Sequence, residues 1–223
     1  MEMETVPFTL LELFQMGGII MWPLLFFSIA AIAISIERLI YLLYHNLRLD
    51  DLTAQVSEYI KNGKYKDAIQ YLSGLKKRRM GARIFLALLM RSSPGANFSE
   101  HRAERAAETE AMNCVNSLEN GFSFLVAIGS IAPLTGFLGT VTGMISAFRA
   151  IAEATEVNAQ IVASGIYEAL ITTVFGLIIA IVAMIFHSVF THIVNRFVAQ
   201  VEGDCSDLIS KMARRSERLR KTV

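Results

Sequence analysis

Hydrophobic positions along the chain fall into three long blocks separated by polar, helix-forming stretches. The first block runs from about residue 18 to 36, with IIMWPLLFFSIAAIAISI at its core, and ends at Glu37 and Arg38. The second, residues 122–148, reads FSFLVAIGSIAPLTGFLGTVTGMISAF. The third runs from about 161 to 186 and contains one charge, Glu168. Roughly 20 apolar residues cross the hydrocarbon of a bilayer, so each block is a candidate transmembrane helix. Pro23 falls in the first turns of its block, where a missing N–H costs least. Trp22, Tyr41 and Tyr44 sit near the ends of that block, as interfacial aromatics do. The apolar run 84–90 is too short to cross and reads as part of a soluble core.

Between the blocks the spacing is helical. Residues 52–75 predict two short helices around the turn Asn62-Gly63. After Ser93-Pro94-Gly95, residues 99–120 lack Pro and Gly, are rich in Ala and Glu, and predict one long helix running straight into the second span. Beyond the third span Phe190, Ile193, Phe197, Val201, Leu208 and Met212 recur at helical spacing, an apolar stripe on a helix that continues out of the membrane. These elements add up to an all-α membrane protein: three transmembrane helices with long cytoplasmic helical extensions.

Composition agrees. The chain of 223 residues is 53% hydrophobic with a mean hydropathy of +0.45, too apolar for an ordinary soluble domain. Its net charge of +1 conceals segregation. Residues 1–16 carry no Lys or Arg, residues 45–118 carry twelve, and residues 195–223 carry seven. Basic residues mark the cytoplasmic side, which places the N-terminus outside and the C-terminus inside. The N-terminus lacks the basic region of a cleavable signal peptide. Cys114 and Cys205 both fall in basic segments and are expected to be reduced, buried thiols. His45, His101, His187 and His192 are scattered without nucleophile–base or metal spacing, so no catalytic residues, metal or other cofactor are expected.

The second span is unusual for a lipid anchor. Pro133, Gly136, Gly139, Thr140, Gly143 and Ala147 share one helical face by i+3 and i+4 steps. On the third span Ala169, Thr173, Gly176, Ala180 and Ala183 do the same. Such faces serve either tight helix packing, with each hydroxyl bonded back to an earlier carbonyl, or a pore lining. Counted from the outer loop at 1.5 Å per residue, Thr140 and Thr173 lie at comparable depths of roughly 15–20 Å. Glu168 is the one ionisable group inside the second and third spans, and an intramembrane acid is a functional candidate. Thr172 lies one turn below it on the same side, whereas Thr173 faces about 140° away. No chain of acids or histidines crosses the bilayer. A proton relay therefore needs hydroxyls and water, or an acid brought by a partner helix.

APLTGFLGTVTGMISAF (132–148) followed by GIYEALITTVFGLIIAI (165–181) resembles the MotA/TolQ/ExbB proton-channel family, as do GGIIMWPLL (17–25) and ERL (37–39). Length and span order are similar to its three-span ExbB/TolQ branch. The resemblance implies a homo-oligomer, a pentamer, around a central pore in the bacterial inner membrane. It implies a partner of the ExbD/TolR type whose single span carries an aspartate, and a TonB-like or TolA-like protein beyond it. Thr140 and Thr173 would face that aspartate, with Glu168 close by. Pro133, Gly136, Gly139, Gly143, Ala169 and Gly176 would line the pore or pack the helices. One departure is Val182, where the family usually has proline. The implied layout is a periplasmic N-terminus over 1–17, transmembrane helices over 18–44, 119–150 and 161–190, a cytoplasmic helical domain over 45–118, a periplasmic loop over 151–160 and a cytoplasmic C-terminal helix over 191–223. The implied function is a motor subunit that uses the proton motive force to energise a periplasmic or outer-membrane process such as TonB-dependent transport. Against it stand a passive scaffold that recruits partners and a MotA-like stator subunit using Na⁺. A solute carrier is disfavoured, because three spans without an inverted repeat leave little room for a substrate site.

Overall fold

A computed structural model describes residues 9–92, 98–153 and 159–221. The Ser93-Pro94-Gly95 turn, residues 1–8 of the expected outer N-terminus, 154–158 of the expected outer loop and the last two residues of the tail lie outside the described residues. The described chain is helical: α1 (Leu10–Met16), α2 (Met21–Tyr44), α3 (Asp50–Asn62), α4 (Tyr65–Leu75), α5 (Met80–Arg91), α6 (Glu100–Glu119), α7 (Phe122–Glu153) and α8 (Ala159–Lys221). Three helical stretches are long and apolar enough to cross a membrane, within α2, α7 and α8. The chain divides into two compact units, Met1–Ile36 with Gly121–Ser188, and Glu37–Asn120 with Val189–Val223.

The first unit holds the apolar blocks. Its α1 is a short helix that hydrophobic periodicity did not announce. Thr9 caps it: the Thr9 hydroxyl accepts from the Glu12 N–H at 3.4 Å, and the Thr9 N–H donates to the Glu12 carboxylate at 3.0 Å. This is a capping box, which satisfies two end donors at once. Gly17 closes α1, and Gly18, at φ +67°, turns the chain into α2. Pro23 is the third residue of α2, as its missing N–H favours. Met21, Leu24 and Ala31 of α2 face inward, while Trp22, Phe26, Ile29 and Ile36 are exposed. Large apolar side chains of α7 and α8 point outward too, among them Phe137, Ile145, Leu177 and Ile181. That polarity suits a lipid surround or a further protein surface.

α6 does not run unbroken into α7. Asn120 has ψ 128° and Gly121 has φ +88°, so the helix ends and restarts within two residues. Glycine takes that left-handed backbone at little cost, and Asn-Gly is a turn pair. Pro and Gly were absent from 99–120, yet the glycine just beyond them sets the break.

In the second unit large side chains fill the interior. Leu52, Val56 and Ile60 of α3, Leu72 of α4, Ile84, Phe85, Leu88 and Leu89 of α5, and Leu118 of α6 are all at or below 1% exposure. The run 84–90 therefore contributes Ile84, Phe85, Leu88 and Leu89 to a packed core, while Met90 is exposed. Asn62-Gly63 forms the expected turn, with Gly63 at φ +75°. The α8 stripe that packs here is Phe190, Val194, Phe197, Val201, Cys205, Leu208 and Met212. Val194 replaces the expected Ile193, which is only half-buried, and Cys205 joins the stripe. Polar links tie the helices: the Thr53 hydroxyl donates to Asp204 at 2.7 Å, Arg83 pairs with Glu110 at 2.7 Å, and the Tyr41 and Ser117 hydroxyls lie 2.6 Å apart. Cys114 and Cys205 are free and buried. Burial pushes the Cys114 thiol up to about 11 and the Cys205 thiol up to about 12, so both stay protonated and unreactive near neutral pH.

Candidate functional site

α7 and the first half of α8 run antiparallel and meet backbone to backbone. A Cβ placed on Gly136 would lie 2.7 Å from the Thr172 carbonyl oxygen, and one on Gly176 would lie 2.6 Å from that of Ala132. Toward the α7–α8 connection, a Cβ on Gly143 would lie 3.0 Å from the Gly165 oxygen and 3.2 Å from the Ala169 Cβ. Gly136, Gly139, Gly143 and Ala147 are buried in this seam, opposite Ala169, Thr172 and Gly176. Pro133 and Thr140 flank the seam, half-buried, and Pro133 sits inside α7 without ending it. Small residues let two helices approach this closely where lipid offers no hydrophobic incentive to associate.

Hydroxyls decorate the seam. Thr172 and Thr173 both donate across it to the Gly136 carbonyl oxygen, each at 3.2 Å, and Thr172 also reaches the Ala169 oxygen at 2.8 Å. On α7 the hydroxyls turn back to their own helix: Thr140 to Phe137 at 2.7 Å, Thr135 to Ile131 at 3.0 Å and Thr142 to Leu138 at 3.1 Å. Thr140 is one turn beyond Gly136, so α8 presents Thr173 to the turn of α7 that carries Thr140. Thr172 is fully buried at the centre of the seam. The expected face ran through Thr173, whereas the structure puts Thr172 at its centre and leaves Thr173 half-buried beside it. Ala169, Thr172 and Gly176 follow i+3 then i+4 steps, while Ala169, Thr173 and Gly176 follow i+4 then i+3. Periodicity cannot choose between them.

Glu168 lies off the hydroxyl-bearing middle of this seam, beside its Ala147–Gly165 end. Its carboxylate lies against the α1–α2 turn, where a Cβ on Gly18 would fall 2.1 Å from its Oε1. It also borders an open cleft of about 510 Å³, lined among others by Met16, Ser146, Ser164 and Tyr167. Glu168 and Thr173 therefore occupy different sides of α8, as the 3.6-residue repeat predicts. Within the second unit, α6 and α8 leave a separate groove of about 710 Å³ with Glu100, Glu104, Glu108 and Glu202 at its rim. It contains none of the candidate residues.

Fold and site together define a multi-pass helical membrane protein whose second and third spans are joined by a hydroxyl-bearing, small-residue seam. Comparison with known proteins makes this specific. The model of the MotA/TolQ/ExbB proton channel family matches residues 76–203, and the chain belongs to that family. An ExbB-like biopolymer transport protein of Synechocystis sp. is 34% identical over 188 residues, covering 83% of this chain and 87% of the relative. The Tol-Pal system protein TolQ of Haemophilus influenzae is 36% identical over 130 residues, 53% of this chain and 57% of the relative. The biopolymer transport protein ExbB of Pseudomonas putida is 34% identical over 113 residues, 51% of this chain and 33% of that longer protein. These relatives support the ExbB/TolQ branch. The family is one of channel proteins rather than classical enzymes.

Proposed function

We propose that this chain is the channel subunit of an ion-driven motor in the bacterial inner membrane, with its N-terminus periplasmic and its C-terminus cytoplasmic. It forms a homo-oligomer, a pentamer, around a single-span partner of the ExbD/TolR type. That partner's aspartate takes up and releases protons beside Thr140 and Thr173, and the cycle is passed to a TonB-like or TolA-like protein. The supporting observation is the bond from Thr173 to the Gly136 oxygen, which brings α8 to the turn of α7 that carries Thr140. Both half-buried hydroxyls donate to backbone carbonyls and keep lone pairs, which supports a role in accepting from a protonated carboxyl on a neighbouring helix. The broad outward apolar surface of the first unit supports an assembly embedded in lipid.

The test begins with pull-down from native membranes for a short, single-span chain with an intramembrane Asp. The purified complex is then reconstituted and proton flux is read with a pH-sensitive dye under an imposed potential. Thr140→Val and Thr173→Val keep shape and remove the hydroxyl. Each is expected to leave the oligomer intact by native mass spectrometry and to cut flux at least fivefold. Normal flux in the double variant, or a monomer, would overturn the reading.

A further inference from the structure

The α1–α2 turn touches Glu168 more closely than an anchor helix requires. Gly18 holds φ +67°. A Cβ built on it would lie 2.1 Å from Oε1 of Glu168, 3.0 Å from Cδ and 3.7 Å from Cγ. The last atoms of the glutamate therefore lie along the open face of a residue that has no side chain. On the other side of the turn, a Cβ on Gly17 would meet Met21 Cγ at 2.5 Å and Ile171 Cγ2 at 3.4 Å. Ile171 is three residues after Glu168 and is buried. Two positions three residues apart on one face of α8 thus lie beside the two glycines of one turn. A glutamate beside an open cleft would otherwise sample several rotamers, at an entropy cost to any role that needs one of them.

We propose that the Gly17-Gly18 turn is the seat of the Glu168 carboxylate, and that Gly18 is a positioning residue for the ion pathway. This rests on the proposed function and takes Glu168, the acid expected close to Thr140 and Thr173, as a further member of that pathway. Gly18 acts by leaving space: the carboxylate lies where a methyl group would stand, and a larger residue would displace it from the α2 side of α8, at the cleft. The first span, by this account, sets the place of the acid as well as anchoring the chain.

The test is a double-mutant cycle with Gly18→Asn and Glu168→Ala in the complex with the co-purifying partner. Asn tolerates positive φ better than most residues but carries a Cβ, so it separates space from backbone conformation. Gly18→Asn is expected to lower proton flux at least fivefold in the native background. In the Glu168→Ala background it is expected to change residual flux less than 1.5-fold, and to lower the melting temperature less than it does in the native background. Equal losses in both backgrounds would show that the turn serves only its own backbone, and would overturn the proposal. So would native flux in Gly18→Asn. Native flux in Glu168→Ala alone would remove the acid, and Gly18 with it, from the pathway; the melting-temperature cycle would then still report whether the seat exists. If Gly18→Asn fails to accumulate, a Gly18→Cys/Glu168→Cys pair replaces it. The sulfur at 168 would take the place of Cγ, within reach of a disulfide to residue 18. Cross-linking on mild oxidation supports the seat, and none under conditions that oxidise exposed thiols overturns it.

Discussion

The two units differ in what their helical glycines face: atoms of another helix, backbone among them, in the first, and in the second either the flexible Leu49 side chain, at Gly81, or open space. In the first, Gly136, Gly139, Gly143, Gly165 and Gly176 sit where an added Cβ would fall 2.2–3.0 Å from atoms of the facing helix. In the second, Gly203 in the interior of α8 and Gly74 in the last turn of α4 have nothing within 4 Å of an added Cβ. Their cores differ to match. The first unit packs Gly, Ala and Thr inward and turns Phe137, Ile145 and Leu177 outward, whereas the second buries Phe85, Leu88 and Phe190. In water, burial of large apolar groups decides which face turns inward. In lipid that incentive disappears, and close approach with interhelical hydrogen bonds decides instead. Along α8 the small-residue face runs from Gly165 to Ala183 and the large-residue stripe from Phe190 to Met212.

The largest expected effect comes from breaking the first rule. Gly136→Leu places a side chain against the Thr172 carbonyl oxygen, a backbone atom that cannot swing aside. The helix pair must part. The variant should yield no folded, monodisperse species on size exclusion in detergent, and the emission of Trp22, the one tryptophan, should lose its native wavelength. A native-like elution profile would refute the close seam.

The second rule is tested by Leu88→Ala in the fully buried core of α5. Removing a buried leucine side chain costs about 2–5 kcal/mol in transfer and cavity terms. The helical signal should melt earlier, with Trp22 emission in the first unit less affected. An unchanged transition would mean that the second unit does not rely on its core.

Much of this contrast is legible in the residues, and the gaps have physical causes. Long apolar blocks reveal the spans because lipid demands uninterrupted length. The Asn62-Gly63 turn and the 84–90 core run follow from local chemistry. The break at Asn120-Gly121 is not visible within 99–120, because the glycine that sets it stands one residue beyond that stretch. α1 escaped because seven residues are too few for periodicity, although Thr9-x-x-Glu12 is a capping-box pattern. Thr172 escaped because i+3 and i+4 steps are equally helical, so the choice between adjacent threonines belongs to the crossing of two helices. Gly18 escaped because its partner is 150 residues away, and a glycine's use as empty space is visible only once the neighbour is placed.

A subtler probe of the seam is Thr172→Val, which keeps the shape and deletes the hydroxyl that donates to Gly136 and Ala169. The carbonyl oxygens retain their helical partners, and Thr173 still reaches Gly136. Interhelical hydrogen bonds of this kind contribute about 0.6 kcal/mol on average in membrane proteins. A drop of a few degrees in melting temperature is expected, with the oligomer intact. Proton flux should fall less than in Thr173→Val, because Thr172 is sealed inside the seam while Thr173 is half-exposed. A larger flux loss in Thr172→Val would reverse the assignment of the two threonines.

An effect of similar size should have the opposite sign. Gly203→Ala and Gly74→Ala place a methyl group in open space on helices of the second unit. Glycine in a helix interior is less stable than alanine by roughly 0.5–1 kcal/mol, because it loses more backbone freedom on folding. Each substitution should therefore raise the unfolding midpoint slightly, and the pair should be close to additive, since the positions lie on different helices, α4 and α8. Gly139→Ala is the matched control in the first unit: the same methyl group would fall 2.2 Å from Thr172 Oγ1, and that variant should be less stable than the native chain. If Gly203→Ala destabilises the detergent-solubilised oligomer while leaving its helical content unchanged, that face of α8 is covered by a neighbouring subunit. The open space would then belong to the single chain and not to the assembly, and the contrast between the two units would narrow to the residues that remain uncovered.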